Sequence, residues 1–477
     1  MAARSPSWTT FASRFPAFTA LDKGYAQPIP VTADQTQILH EPTAFFDTLC
    51  AKIRNARSRV YLATLYVGDQ EQALLEVLDR ALQDNPQLEL CILFDALRGT
   101  RQRYVHQSPV NLLVPLLHQY PERVRVSVYH TPDLHGTTKR WYPERYNEAV
   151  GLMHIKAYVI DNDVILSGAN LSHDYFTNRQ DRYIVFNDQP LVAAYYTQLV
   201  DTVAKFSYRV ALPVNPVHRS AFNLVPCSGF DPVTDPRRFR AMAHQRMQHW
   251  IQQWARHVQQ NSSAVTLAAD TFAIPTVQMA PVGIDQDQTV LLALLRAVDR
   301  YAHDHLGTRA CFASAYFNFA SVFQSAILDN RASFDLLVAA PKANGFYNAR
   351  GISKYVPTAY SSFEYDFHRM AQKHMDRRTT RLIRIREYCR DGWTFHAKDP
   401  AITVIGSSNY GYRSIRRDLE AQMTLFTENT KLQAALGREV QHLNRHTQVV
   451  TDQTFGHPLR RVPFWVRAVK PFIRGFF

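Results

Sequence analysis

His154-Ile155-Lys156-Ala157-Tyr158-Val159-Ile160-Asp161 is the stretch on which the reading of this chain turns. His154, Lys156 and Tyr158 alternate with Ile155, Ala157 and Val159. That period of two belongs to a strand with one polar and one apolar face. Asp161-Asn162-Asp163 is turn chemistry and Val164-Ile165-Leu166 a returning strand, which delivers Ser167 and Asn170 back beside His154. Such a face suits work on phosphorus. A neutral imidazole attacks, a lysine offers fixed positive charge to the non-bridging oxygens, and an asparagine adds a neutral donor. The reaction also needs a second histidine, to protonate the leaving group and then deprotonate the acceptor.

Phe395-His396-Ala397-Lys398, followed by Gly406-Ser407-Ser408-Asn409, supplies it. One His-x-Lys is ordinary coincidence; two, each leading into a strand and an Asn-ending turn, argue for duplication. The surroundings repeat as well. An amphipathic stretch, Ala44 to Ala56, precedes the apolar strand Val60 to Tyr66, and Val290 to His303 precedes Ala310 to Tyr316. Buried strands follow in each half, Leu88 to Phe94 and Phe334 to Ala339. This alternation predicts an α/β fold of two similar lobes. The lobes span 36–210 and 263–450, with a bridge over 211–262 that is helical from Pro236 to Gln260.

Bulk properties agree with two domains: 477 residues, 46% of them hydrophobic, and a formal net charge of +13. Excess positive charge favours polyanionic partners, whether nucleic acid, nucleotides or an anionic membrane surface. The five cysteines form no CxxC pair and read as buried, reduced thiols, not a disulfide framework or zinc site. No run of about 18 apolar residues suggests a spanning helix. Residues 1–35 open with Arg4, Arg14, many Ser and Thr and no early acid, the composition of an organellar presequence. At the other end, 451–477 sets Phe464, Trp465, Ala468, Val469, Phe472 and Ile473 at helical spacing among Arg467, Lys470 and Arg474. That basic amphipathic pattern seeks a membrane interface.

The two motifs resemble the signature of the phospholipase D superfamily, HxKxxxxD followed by GxxN. The first keeps the Asp, at Asp161, but has Ser167 in place of the Gly; the second keeps Gly406 and has Thr403 where the Asp falls. Asn170 follows His154 by 16 positions and Asn409 follows His396 by 13, with Pro400 ending the second strand early. More closely, the chain resembles the eukaryotic mitochondrial phosphatidylglycerophosphate synthase family. Leu97-Arg98-Gly99, His130-Thr131-Pro132, Pro143 to Glu148, Tyr175 to Tyr183, Gly392 to Lys398 and Gly411 to Ser414 carry that likeness.

The resemblance implies a duplicated α/β/α fold with one active site between the lobes, no catalytic metal and no cofactor. It implies CDP-diacylglycerol and glycerol 3-phosphate as substrates, an anionic membrane surface as peripheral partner, no nucleic acid, and a mitochondrial inner-membrane location. His154 and His396 become the nucleophile and acid/base, in an order the sequence leaves open. Lys156, Lys398, Asn170 and Asn409 cradle phosphate oxygens, with Ser167 and Ser407 beside them. Asp161 orients a histidine. Arg179, Arg182 and Arg413 bind substrate phosphate or hold the lobes, and Asp418 and Glu420 satisfy arginines. The alternatives are another phosphatidyltransferase, a phosphodiesterase or nuclease of the superfamily, and an inactive membrane-associated homologue.

Overall fold

The structure is a computed structural model that describes residues 6–21, 27–102, 107–141, 147–216, 218, 220–261, 269–347, 349, 351–375, 381–395 and 402–476. At the centre of the first lobe run three parallel strands, Arg59–Ala63, Glu89–Asp95 and Val124–Tyr129. Helices Gln72–Asp84 and Val114–Gln119 make the crossovers. The hairpin Ala157–Ile160 and Asp163–Ser167 joins antiparallel to Arg59–Ala63, and Tyr183–Phe186 and Thr36–Leu39 complete that side. Tyr208–Ala211 and Asn223–Pro226 extend the other edge, for nine strands in all.

Strand alternation decides what each face of this sheet meets. Val60, Leu62, Leu90 and Ile92 point to one core, shared with Phe45, Leu49 and Ile53 of helix Pro42–Arg54. Those helix residues recur every four positions, the spacing of one buried stripe. Tyr61, Ala63, Cys91 and Leu93 point the opposite way, into a core that continues across the molecule. It takes in helix Pro190–Ala204, helix Pro236–Asn261, and Met279, Ile405, Leu419 and Met423 of the second half. The segment read as a bridge therefore contributes a 26-residue helix with Phe239, Met247, Trp250 and Trp254 buried.

The second lobe repeats the plan: parallel strands Arg309–Ser314, Ser333–Ala339 and Ile383–Tyr388, with helices Gln286–Asp304, Ser321–Leu328 and Val356–Met375. One difference separates the halves. Among the described residues the second lobe divides into two sheets, because Thr403–Gly406 pairs with Leu419–Thr427 and not with the parallel trio. Leu419–Thr427 in turn pairs with Thr271–Met279 over nine residue pairs.

Residues 6–21, within the stretch read as a presequence, are folded against this lobe. Trp8 and Phe11 of helix Pro6–Arg14 are buried, and Phe11 meets Phe272 and Phe426 edge-on at 5.8 and 5.0 Å. Ile29 and Pro30 then pair with Ala273 and Phe272. At the other end, helix Phe464–Ile473 docks on Val356–Met375 with Val466 buried, while Phe464 is 86% and Trp465 45% exposed. No described helix is long and apolar enough to cross a membrane. Cys50 and Cys91 are buried as expected, whereas Cys227 and Cys389 are exposed.

Candidate active site

The His154 segment is laid along the second lobe. Met153 bridges in parallel to Leu419; the His154 N–H donates to Leu419 O at 2.7 Å and the Leu419 N–H to Leu152 O at 2.8 Å. Two buried carboxylates fix the approach: Asp418 accepts from the Leu152 N–H and Asp95 from the Met153 N–H. The contact is close enough to demand glycine at 151, where an added Cβ would stand 2.6 Å from Arg417 O.

This register sets His154 beside Glu420, 266 residues away, with Nδ1 and the glutamate Oε2 2.9 Å apart. Glu420 is fully buried. A carboxylate only accepts, so in the neutral ring Nδ1 carries the proton and Nε2 the lone pair. Lys156, buried just before strand Ala157–Ile160, donates to His154 O at 2.8 Å, fixing the backbone beneath the imidazole. Asn170 and Asn409 each hold a buried side-chain Oδ1 without a hydrogen-bond partner.

Other expected residues serve elsewhere. Asp161 sits at the far end of strand Ala157–Ile160, in the left-handed turn (φ 52°), where it accepts from the backbone N–H groups of Arg57, Ser58 and Arg59. Burial is the largest single influence and pushes the carboxyl up, but the Ser58 hydroxyl and these backbone donors together hold it below the usual range. Asp161 is thus a turn lock, and the histidine it was expected to orient is held by Glu420. Ser167 accepts from the Ala169 N–H, and Ser407 exchanges bonds with the Ala421 backbone. Both are turn-forming. Gly406 is required by space: an added Cβ would lie 2.4 Å from Ala421 O.

The arginines divide. Arg182 is buried and makes a two-pronged pair with Glu439 at 2.7 Å, with further bonds to Thr403 Oγ1 and Val404 O. Of the two roles expected for it, phosphate binding or holding the lobes, these bonds fit the second, clamping one lobe to the other. Arg413 pairs with Asp418 and donates to Glu148 O. Arg179 lies over the Tyr175 ring at 4.5 Å, donates to Thr394 Oγ1 and reaches Asp174 at 3.2 Å. It sits between the lobes, beside Gly345, whose added Cβ would be 3.5 Å from Arg179 Nη2. His396 and Lys398 lie outside the described residues, as do residues 142–146.

Sequence reasoning missed Glu420's role, assigning it to an arginine. A signal was present: Glu420 follows Asn409 by the same interval as Asp181 follows Asn170. Asp181 accepts from the Gly168 N–H beside the first motif's asparagine. Strands Thr394–Phe395 and Arg179–Gln180 also pair in parallel, Phe395 opposite Gln180, echoing Met153 opposite Leu419.

Two α/β lobes in direct contact, with a histidine on one oriented by a carboxylate from the other, define a phospholipase D-like protein. Comparison with known proteins agrees. The family described as "Cardiolipin synthase, PLD-like domain" matches residues 49–202. The mitochondrial CDP-diacylglycerol–glycerol-3-phosphate 3-phosphatidyltransferase of Gallus gallus is 37% identical over 482 residues, 94% of this chain and 84% of that one. The Homo sapiens protein of the same name is 36% identical with the same coverage, and that of Saccharomyces cerevisiae 33% over 89% of this chain. The crystal structure of phosphatidylserine synthase from Haemophilus influenzae Rd KW20 superposes with a TM-score of 0.70 at 18% identity, covering 97% of this chain and 99% of the other. The chain belongs to the CDP-diacylglycerol–glycerol-3-phosphate 3-phosphatidyltransferase family.

Proposed function

We propose that this protein transfers the phosphatidyl group of CDP-diacylglycerol to sn-glycerol 3-phosphate, giving phosphatidylglycerophosphate and CMP. The observation that carries the reading is identity of 33–37% along nearly the whole chain with enzymes of that name. In the first step His154 Nε2 attacks the phosphatidyl phosphorus. A P–N bond forms, the P–O bond to CMP breaks, and His396 gives the departing CMP oxygen a proton. In the second, His396 takes the proton from the glycerol 3-phosphate hydroxyl, whose oxygen displaces His154. Two in-line displacements retain configuration at phosphorus.

Glu420 supports this assignment by fixing the ring of His154 and stabilising the positive charge it gains. Lys156 and Lys398 balance charge on the phosphoryl oxygens, Asn170 and Asn409 donate neutral hydrogen bonds to them, and Arg179 takes the acceptor's phosphate as a planar donor fork. The lipid substrate is reached from a membrane surface. Exposed Phe464 and Trp465, flanked by Arg461 and Arg467, supply an aromatic, basic contact for anionic lipid. Location in the mitochondrion follows the names of the Gallus gallus and Homo sapiens relatives.

The test is to incubate purified protein with CDP-diacylglycerol in mixed micelles, with and without glycerol 3-phosphate, and to identify the products. Acceptor-dependent release of CMP with phosphatidylglycerophosphate is expected. CMP accompanied by phosphatidic acid, whether or not acceptor is present, would mark a hydrolase instead.

A further inference from the structure

Three basic residues fasten the C-terminal segment to the second lobe. Arg460 pairs with Glu364 at 3.1 Å and with Glu387. Lys470 donates to Ser362 Oγ at 3.0 Å and pairs with Asp366, both on helix Val356–Met375. Arg474 lies over the Tyr412 ring at 5.0 Å and the Phe363 ring at 5.8 Å, and its backbone O accepts from Asn318 Nδ2 at 2.9 Å.

The first two fastenings only attach the segment; the third reaches the second motif. Tyr412 opens the short helix Tyr412–Arg416, three residues after Asn409. Its hydroxyl accepts from the Ser321 N–H at 3.0 Å, so the ring is held at its tip by the lobe and on its face by Arg474. Within the same helix, Ser414 Oγ accepts from the Asn409 N–H at 3.1 Å. Arg413 donates to Asp418 at 2.9 Å, and Asp418 accepts from the Leu152 N–H, two residues before His154. Glu420, which orients His154, follows directly on that strand. Asn318 belongs to the loop after Ser314, whose hydroxyl donates to Asn409 O at 3.0 Å. Arg474 therefore grips two loops that converge on Asn409.

A helix of five residues is a single turn and cannot hold its own shape. Its orientation must come from what packs on it. A guanidinium suits that task, being planar, weakly hydrated and attracted to an aromatic face. The alignment matters because displacing a reacting or stabilising group by about 1 Å can cost about 100-fold in rate.

We infer that Arg474 is a positioning residue for the transfer. It braces the Tyr412–Arg416 turn, so that Asn409 and the Arg413–Asp418 pair stay aligned with His154. It does so from the end of helix Phe464–Ile473, whose other end carries exposed Phe464 and Trp465. One helix of about 15 Å thus joins the proposed lipid contact to the turn beside the site. The inference rests on the proposed reaction at His154.

The test compares full-length wild type, Arg474→Ala, Arg474→Lys, Tyr412→Leu and the Tyr412→Leu/Arg474→Ala pair in the mixed-micelle assay, with amide hydrogen exchange of the same proteins. Arg474→Ala should lower kcat about tenfold, with KM for both substrates within about twofold of wild type. Arg474→Lys keeps a cation over Tyr412 and should recover most of that loss. Where Tyr412→Leu has already removed the ring, Arg474→Ala should lower kcat little further. Amides of 409–420 should exchange several-fold faster in Arg474→Ala, while those of Arg59–Ala63 keep their wild-type protection. An unchanged kcat, a loss confined to KM, an equal further loss in the Tyr412→Leu background, or unaltered exchange over 409–420 would overturn the brace. If wild type releases no CMP, the reaction itself falls and the exchange comparison alone decides the brace.

Discussion

At the scale of single residues, chemistry concentrates on the His154–Glu420 pair. Glu420→Gln keeps the shape but gives Nδ1 a neutral partner, so kcat should fall by about 100-fold or more with KM little changed. A fall confined to KM would show that Glu420 binds substrate instead. Asp161 gives the opposite pattern. Asp161→Ala removes three backbone contacts and should cost about 1–3 kcal/mol in urea unfolding, yet leave kcat of the folded enzyme near wild type. Large loss of kcat without loss of stability would return it to the site. Asp95 supplies a pH test. Burial pushes its carboxyl up to about 7, against the backbone donors of Arg98 and Met153. An unfolded Asp titrates near 3.9, so folding favours the protonated form. That contribution is complete below about pH 4 and disappears as pH rises to about 7. The stability of wild type relative to Asp95→Asn should therefore decline from pH 4 to 7 and then level; a flat difference would contradict it. The motif letters alone made His154, Lys156 and Asn170 legible. Asp161 was misread because the signature preserves its identity for the turn, and Glu420 because its partner lies 266 residues away.

At the scale of elements, alternation and helical spacing announced most of the fold. Val60 to Tyr66 became Arg59–Ala63, and Pro236 to Gln260 became Pro236–Asn261, because both patterns are local. How elements join was not local. Nothing near Arg182 indicates that its partner is Glu439 on helix Thr430–Asn444, and nothing near Phe11 points to Phe272 and Phe426. Arg182→Met leaves Glu439 buried without its cation and should cost about 3–5 kcal/mol. The double substitution Arg182→Met with Glu439→Met should recover much of it; no recovery would mean that the clamp is not the cause. Phe11→Ala should cost about 3–5 kcal/mol by emptying an aromatic core. A near-neutral effect would restore the reading of this helix as a detachable presequence.

At the scale of the whole molecule, two lobes carry an aromatic basic tail, and the charge of +13 suits work on anionic lipid. Phe464→Ala with Trp465→Ala should reduce flotation with cardiolipin-containing vesicles several-fold while soluble CMP binding stays intact; equal flotation would exclude this surface. The duplication was legible from paired motifs. The division of the second lobe into two sheets was not, since strand partners depend on packing and not on any local pattern. The claim that unites the lobes is a phosphatidyl group carried on His154, and it is tested by withholding glycerol 3-phosphate. Protein mixed with CDP-diacylglycerol alone is quenched within one turnover, digested and mapped by mass spectrometry. A phosphatidyl adduct on the peptide containing His154, discharged as phosphatidylglycerophosphate when acceptor is added, is the expected result. An adduct on His396 instead, or none in enzyme that turns over normally, would contradict it.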